Sequence, residues 1–201
     1  MGIRILTATE KPMDVISIAA GTSYGKDDPK RNRVVSCFDR GHMSVFEHAS
    51  VTFRVDGISR ACSHQLVRHR MASFVQVSQR YTKIDTEYDW FVMPPSFAGD
   101  VGKRAWFESC MDCYAEDYKR AIIECGIKPE DARYLLPEAC KTELTVTMNV
   151  RELFHFLNLR TDQHAQWEIR DMANELWQEI AQIDDQWGEL MGLWSAGGCN
   201  E

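Results

Sequence analysis

Residues 68–81 read RHRMASFVQVSQRY, and this stretch constrains the fold and the function more than any other part of the chain. It lies within residues 57–84, which contain no Asp or Glu but carry the cations Arg60, Arg68, Arg70, Arg80 and Lys83. The whole chain of 201 residues has a net charge of −7. Positive charge concentrated inside an acidic protein raises the local concentration of an anionic ligand. The arginine fork suits phosphate or an imide edge, so the segment predicts an anion site.

The bulk composition is that of an ordinary globular protein, with 44% hydrophobic and 26% charged residues. The length favours one domain over residues 1–201, with a frayed tail from about residue 195. The apolar runs are too short for a membrane span, and the N-terminus lacks a signal-peptide core. The seven cysteines are therefore expected to be reduced thiols in a cytoplasmic protein that does not associate with membranes.

Composition and spacing also disfavour two other kinds of site. A protein that follows a nucleic-acid backbone needs a broad basic face, which this acidic chain lacks, so we expect no nucleic-acid partner. Cys110 and Cys113 form a C-x-x-C pair, but no second Cys or His pair stands at zinc-site spacing. We therefore predict no metal site.

Hydrophobic periodicity predicts a mixture of helices and strands. Apolar residues alternate in residues 49–55 and again at Leu144, Val146 and Met148, as in half-buried strands. Helices are predicted at residues 14–20, 31–40, 58–70, 103–125, 129–136, 149–157 and 162–190. The helix at 58–70 would place the Arg-His-Arg sequence on its last turn. An extended stretch at 74–81 would place Gln76, Ser78 and Arg80 on one face.

The string Arg-His-Arg, seven residues, Ser, one residue, Arg-Tyr closely resembles the signature of the flavin-dependent thymidylate synthases, the ThyX family. Further segments resemble that family in the same order, namely GHMSVFEH at 41–48, ARYLLP at 132–137, NVR at 149–151 and FLNLR at 156–160. The resemblance implies an α+β fold with a small, mostly antiparallel sheet packed by long helices. It also implies a homotetramer whose sites are shared between subunits.

Three positions depart from the family pattern. Val75-Gln76 stands where the family often has Asn-Glu, Gly21 where an Arg is common, and His155 where an Asn can contact the flavin. These departures concern details of flavin and nucleotide binding rather than membership of the family.

The reaction that the resemblance implies is the reductive methylation of dUMP to dTMP. Methylenetetrahydrofolate gives the carbon, FAD carries the hydride and NADPH reduces the flavin. The folate and NADPH are co-substrates. Each of these ligands is anionic, which accounts for the acid-free segment. The family needs no cysteine nucleophile, so none of the cysteines is assigned to catalysis.

The resemblance also implies which residues form the site. The cofactor contacts are His42, Ser44, Glu47, Arg68, His69, Arg70, Gln76, Asn149, Arg151 and His155. The dUMP contacts are Gln65, Arg68, Gln76, Ser78, Gln79, Arg80, Arg133 and Arg160. Catalysis falls to Arg68, Arg160 and Ser78, with Ser78 acting as a binder. Arg68 would stabilise the negative charge that develops when the flavin takes hydride. Taken singly, Arg68 is more typical of a solvated helix end than of a ligand site, and Asn149 is more typical of a helix cap.

Two rival functions remain open at this point. A non-catalytic nucleotide-binding or RNA-binding module would use the arginines for phosphate, bind polymer in a salt-sensitive way and hold no flavin. The acidic total charge and the matches outside residues 68–81 oppose it. A flavin reductase with another acceptor would share the flavin features but would not need Ser78, Arg80, Arg133 or Arg160.

Overall fold

The computed structural model describes residues 1–197. The described chain contains an open antiparallel sheet with the strand order β1-β2-β4-β3. The strands are β1 (Gly2–Ala8), β2 (Ser50–Ser59), β3 (Ser73–Gln76) and β4 (Lys141–Asn149). The helices are α1 (Pro12–Thr22), α2 (Arg31–Asp39), α3 (Arg60–Leu66), α4 (Pro95–Ala98), α5 (Val101–Ile123), α6 (Pro129–Ala132), α7 (Val150–Arg160), α8 (Trp167–Ala181) and α9 (Asp185–Gly197). Two 3₁₀ helices lie at Met43–His48 and Arg133–Leu135. The predicted α+β class is confirmed.

The first of two compact units comprises Met1–Val55, Gln65–Val75 and the described part of the chain from Thr145. Helices α1, α2, α7, α8 and α9 pack within it, and α8 also contacts β1. Its largest fully buried side chain is Trp187, whose indole Nε1 donates to the Thr9 carbonyl at 3.1 Å. A buried indole N–H needs such a partner, so the tryptophan fixes α9 to the segment after β1.

The second compact unit comprises Asp56–His64 and Gln76–Leu144. Its long helix α5 begins where the Asp100 carboxylate accepts the backbone N–H of Lys103 at 2.9 Å. One apolar face of α5 packs into two clusters of buried residues. The first cluster contains Trp90, Met111, Ala115 and Cys140, and the second contains Tyr118, Ala121 and Ala132. Gly126, at φ 65°, follows the helix and ends it in a left-handed conformation that glycine adopts readily. One domain over residues 1–201 stays a prediction.

Helices α1, α2, α5 and α7 confirm the predicted segments to within about three residues. Strand β2 begins one residue after the predicted start at 49, and β4 contains the second predicted strand. Strand β1 was missed, although Ile3 and Ile5 alternate with the more exposed Arg4 and Leu6. No helix within residues 1–197 is long and apolar enough to cross a membrane.

The helix predicted at residues 58–70 is wrong at both ends. Strand β2 runs on to Ser59, whose buried hydroxyl accepts the Cys62 N–H at 3.0 Å and starts α3 at Arg60. After Leu66 the chain makes successive tight turns, and the backbone N–H of His69 donates to the Leu66 carbonyl at 3.2 Å. The Arg-His-Arg sequence therefore follows the helix instead of occupying its last turn.

The extended stretch predicted at residues 74–81 is also too long, because β3 ends at Gln76. The Ser78 hydroxyl accepts the backbone N–H of Arg80 at 3.2 Å, and the Ser78 carbonyl accepts the Thr82 N–H at 3.0 Å. This side-chain hydrogen bond favours a turn over a strand, so Ser78 and Arg80 do not share a strand face.

The single helix predicted at residues 162–190 is instead two helices, α8 and α9. Each begins at a local cap, because Gln166 Oε1 accepts the Glu168 N–H at 3.0 Å and Asp184 Oδ1 accepts the Trp187 N–H at 2.9 Å. The helix predicted at 129–136 is likewise α6 followed by a 3₁₀ turn. The tail predicted to fray from residue 195 is helical to Gly197, and residues 198–201 lie outside the described part.

Candidate active site

His69 is the buried centre of a hydrogen-bonded chain within the first unit. Its side chain is almost fully enclosed, and its Nδ1 lies 3.2 Å from Glu152 Oε1. Arg160 donates from Nε to His69 Nε2 at 3.0 Å and from Nη2 to the Gln65 carbonyl at 3.4 Å. The structure thus joins three residues that the sequence placed in the site, Gln65, His69 and Arg160. It adds Glu152, which the sequence analysis did not place in the site.

Helix α7 supplies most of this arrangement. Asn149 Oδ1 accepts the Glu152 N–H at 2.9 Å, so the helix begins where β4 ends, as predicted. Glu152, Phe156 and Arg160 are spaced four residues apart and therefore share one helix face. The Phe156 ring packs edge-on against His69, with ring centroids 5.0 Å apart. This contact holds the imidazole between Glu152 and Arg160, the two polar side chains of this helix face.

Burial and nearby positive charge keep His69 neutral. Burial, followed by Arg160 and His155, lowers the pKa of His69 to about 4. Burial also raises the pKa of the Glu152 carboxyl, although His155 and Arg151 oppose that rise. The exposed His155 ring lies 5.7 Å from the His69 ring, so His155 lies beside this chain.

Arg68 and Arg70 are exposed on either side of the buried His69. Within residues 1–197 neither guanidinium has an ion-pair or hydrogen-bond partner. His42 and Ser44, which the sequence also placed in the cofactor site, are likewise exposed, at the beginning of the 3₁₀ helix that precedes β2. Two uncompensated cations on one short turn are suited to holding an anion.

Two more predicted cofactor contacts are brought together in the first unit. Arg151 Nη1 lies 2.6 Å from Glu47 Oε1, and both side chains are well exposed. An exposed pair of this kind adds little stability, about 0–1 kcal/mol, so either partner can be recruited by a ligand. Asn149 has its side-chain oxygen committed to the α7 cap and keeps its amide NH₂ group for other contacts.

The second unit contains a pocket of about 310 Å³. Its lining includes the predicted Gln79 and Arg133, together with Arg60, His64, Tyr134, Leu136, Pro137 and Glu138. Arg133 is steered by its Nε, which donates to the Glu130 carbonyl at 3.0 Å. His64 Nδ1 lies 3.5 Å from the Glu138 carboxylate. The sequence reasoning missed Arg60 and His64 as pocket residues, although both lie in the acid-free segment.

The remaining predicted dUMP contacts are held in different ways. Arg80 is exposed, lies 3.4 Å from Glu130 Oε2, and places its guanidinium carbon 5.2 Å from the centre of the Tyr81 ring. Gln76 donates from Nε2 to the Ser63 and Thr142 hydroxyls, each at 3.0 Å. Its amide nitrogen is thus engaged within the protein.

Cys140 is a buried thiol in contact with Gln79, one of the predicted dUMP contacts. Gln79 Nε2 donates to its Sγ at 3.6 Å, and burial raises the pKa of the thiol to about 11. Because the thiolate is the nucleophilic form, Cys140 is unreactive at neutral pH.

The family model described as "thymidylate synthase complementing protein" matches residues 4–184. A flavin-dependent thymidylate synthase of Geobacter sulfurreducens is 44% identical over 187 residues, covering 88% of this chain and 80% of that protein. The enzyme of the same description from Pyrococcus furiosus is 39% identical over 209 residues, covering 94% and 84%.

Solved structures agree with these sequence matches. The flavin-dependent thymidylate synthase of Helicobacter pylori, solved with FAD and dUMP, superposes with a TM-score of 0.79. It is 25% identical, with complete coverage of both chains. The UMP/dUMP methylase PolB of Streptomyces cacaoi, bound with 5-Br dUMP, gives a TM-score of 0.82 at 23% identity, covering 99% of this chain and 96% of that one. This second likeness concerns the fold alone.

The buried imidazole should make stability depend on pH. The native pKa of His69 is about 4 and its ordinary value is 6.5, so below pH 6.5 the unfolded chain binds more protons. Stability should fall with pH down to about 4, by roughly 2 kcal/mol between pH 7 and 5 from this group. The raised pKa of Glu152 acts in the opposite sense and offsets part of that loss.

Urea unfolding at pH 7 and 5, at one protein concentration, compares wild type with His69→Gln. The free energy of unfolding of wild type should fall more steeply than that of the variant. Equal losses in the two proteins would show that His69 is not buried in its neutral form.

Proposed function

The chain belongs to the family of flavin-dependent thymidylate synthases, and from this premise we infer that it converts dUMP to dTMP by reductive methylation, with FAD as hydride carrier. Methylenetetrahydrofolate supplies the carbon and NADPH the reducing equivalents. The observation that carries this function is the match over residues 4–184, which contains the whole Arg-His-Arg to Arg-Tyr signature. The likeness to an enzyme solved with FAD and dUMP supports the same reaction.

The cofactor role rests on the turn that carries Arg68, His69 and Arg70. FAD, when bound, carries a hydride between the reductant and the carbon that becomes the methyl group. The two guanidinium groups have no protein partner among residues 1–197, so they fit an anionic or electron-rich group. Arg68 would stabilise negative charge at such a group, and Arg70 would help to bind it. His42, Ser44, Glu47, Gln76, Asn149, Arg151 and His155 complete the proposed cofactor set.

The dUMP role rests on cations that either line a pocket or hold weak pairs. Arg133 and Gln79 line the pocket of the second unit and are proposed to bind the nucleotide. Arg80 is paired with Glu130 at 3.4 Å, and both side chains are more than a third exposed. A pair of that kind is worth about 0–1 kcal/mol, whereas a charge-assisted bond to phosphate contributes about 1.5–3 kcal/mol. A phosphate can therefore displace Glu130 from Arg80.

The remaining dUMP contacts are Gln65, Arg68, Gln76, Ser78 and Arg160, with Arg68, Arg160 and Ser78 closest to the chemistry. Ser78 acts as a binding hydroxyl, and no cysteine acts as nucleophile. The high pKa of the Cys140 thiol, about 11, supports that assignment, because the thiol stays protonated at neutral pH.

We also propose a homotetramer whose sites are shared between subunits. Beside the two free arginines, the first unit exposes Val67, Met71 and Val75, with 38%, 71% and 74% of their surfaces accessible. A neighbouring subunit would cover this apolar surface.

We place the enzyme in the cytoplasm, since no disulfide joins the cysteines within residues 1–197.

The reaction itself is tested by reconstitution and turnover. Purified protein should take up FAD and turn yellow, and it should oxidise NADPH faster when dUMP is present. With methylenetetrahydrofolate added, dTMP should appear. Omitting dUMP or the folate in turn is the control for each substrate. Protein that takes up no FAD and makes no dTMP would refute the proposal.

Paired titrations separate the nucleotide contact from the shared contact. Arg80→Ala should weaken dUMP binding about ten- to a hundredfold, the worth of one charge-assisted hydrogen bond, while FAD stays bound. Arg68→Ala should weaken both ligands. Lys119→Ala is the matched control, because it removes a comparable exposed pair, with Glu87 at 3.4 Å. If Arg80→Ala loses flavin and keeps its dUMP affinity, the roles are wrongly assigned.

Light scattering tests the assembly. A tetramer should have a mass near four times 23.1 kDa, and dilution below the association range should remove activity together with mass. A stable monomer that still makes dTMP would show that the site is complete within one chain.

A further inference from the structure

Glu152 is an ionisable side chain that the proposed function leaves without a role. It is 6% exposed, and burying a carboxylate costs several kcal/mol unless it is well paired. It lies in the first turn of α7, where Asn149 caps its backbone N–H. Its carboxylate is directed at His69 Nδ1 at 3.2 Å, within the buried interior of the first unit. The burial of this carboxylate therefore requires a physical explanation.

The contact between His69 and Arg160 decides which ring nitrogen carries the proton. An arginine Nε always bears hydrogen, so the 3.0 Å contact requires His69 Nε2 to present a lone pair. An imidazolium, or the neutral form protonated at Nε2, would turn two N–H groups toward each other. The ring must therefore be neutral and protonated at Nδ1, and Nδ1 donates to Glu152.

We propose that Glu152 is a positioning residue, which fixes the His69 tautomer that holds Arg160 and thereby aims the Arg160 guanidinium at dUMP. The last part of this inference rests on the proposed function, because that function assigns Arg160 to dUMP. The tautomer and its cause do not depend on it.

The packing around His69 supports this role. Glu152 and Arg160 are eight residues apart, about 12 Å along the helix axis, so the imidazole joins two ends of one helix face. Phe156, midway between them, packs edge-on against the ring. Arg160 has a second fixed point at the Gln65 carbonyl, 3.4 Å from Nη2. With Nε and Nη2 both held, the plane of the guanidinium is set before any ligand arrives.

The acid–base properties agree with this geometry. Burial and the Arg160 charge lower the pKa of His69 to about 4, so the ring is neutral at neutral pH. Without an acceptor at Nδ1, the neutral ring would be free to protonate at Nε2 instead. It would then present a hydrogen to Arg160 Nε and displace it. The carboxylate at Nδ1 prevents that change.

The first test reads the tautomer directly, in the folded protein without ligands. With ¹⁵N-labelled histidine, the six imidazoles give separate nitrogen signals, and the one that disappears in His69→Gln is assigned. Wild type should show His69 protonated at Nδ1. In Glu152→Gln the side-chain amide can accept or donate, so a measurable Nε2–H population should appear. Glu189→Gln is the matched control, because it alters a carboxylate paired with Arg31 elsewhere in the first unit.

The second test asks whether Glu152 acts through Arg160. Glu152→Gln should raise the Kd for dUMP about tenfold, a part of the hundredfold that loss of a full charge-assisted bond would cost. Glu189→Gln should leave that Kd unchanged. In an Arg160→Ala background, adding Glu152→Gln should cause no further loss, since the positioned group is already gone.

Two results would overturn the inference while dUMP binding by wild type is intact. One is a wild-type spectrum with His69 protonated at Nε2 or at both nitrogens. The other is a tenfold effect of Glu152→Gln that persists without Arg160. Wild type that binds no dUMP would refute the proposed function instead, and with it the aim assigned to Arg160, while the tautomer measurement would stand.

Discussion

The hydrogen-bonded chain from Glu152 through His69 to Arg160 is the interaction on which the site depends. Glu152 and His69 are buried, and an unpaired polar group in the interior would destabilise the fold. Each member of this hydrogen-bonded series supplies a partner that its neighbour needs. The chain ties the turn after α3 to both ends of one face of α7. Its position follows from the Asn149 cap, because a start one residue later would rotate Glu152 about 100° around the helix. Local capping thus decides long-range geometry.

Two arginines beside the hydrogen-bonded residues Glu152, His69 and Arg160 have no acidic partner within the described part of the protein. Arg68 and Arg70 project from the turn that contains buried His69, and neither finds an acid within residues 1–197. Leaving cations unpaired at the surface costs little, because water solvates them well. An anionic ligand can therefore pair with these arginines without first displacing an acidic side chain of the protein.

Other arginines of the proposed site are paired, but only by exposed contacts. Arg80 with Glu130 and Arg151 with Glu47 hold their guanidinium groups near a fixed position without strong binding. Such pairs order the side chain before a ligand arrives and yield when a phosphate competes. Arg160 differs from these arginines, because a buried imidazole and a backbone carbonyl hold its guanidinium group. Its orientation is therefore set by the protein, whereas the exposed pairs can be exchanged for a ligand.

The sequence by itself determined the fold class, the family, β2 and β4, the long α5 and the cap at Asn149. These follow from local patterns, namely alternation, helical spacing, capping residues and an ordered set of motifs. The sequence also named Gln65, His69 and Arg160 as site residues. Only the tertiary structure showed that the Arg-His-Arg sequence follows α3 and that Ser78 forms a turn. The hydrogen-bond partners of His69 lie 83 and 91 residues further along the chain. No local pattern encodes contacts at that separation, because they depend on how strands and helices pack in three dimensions.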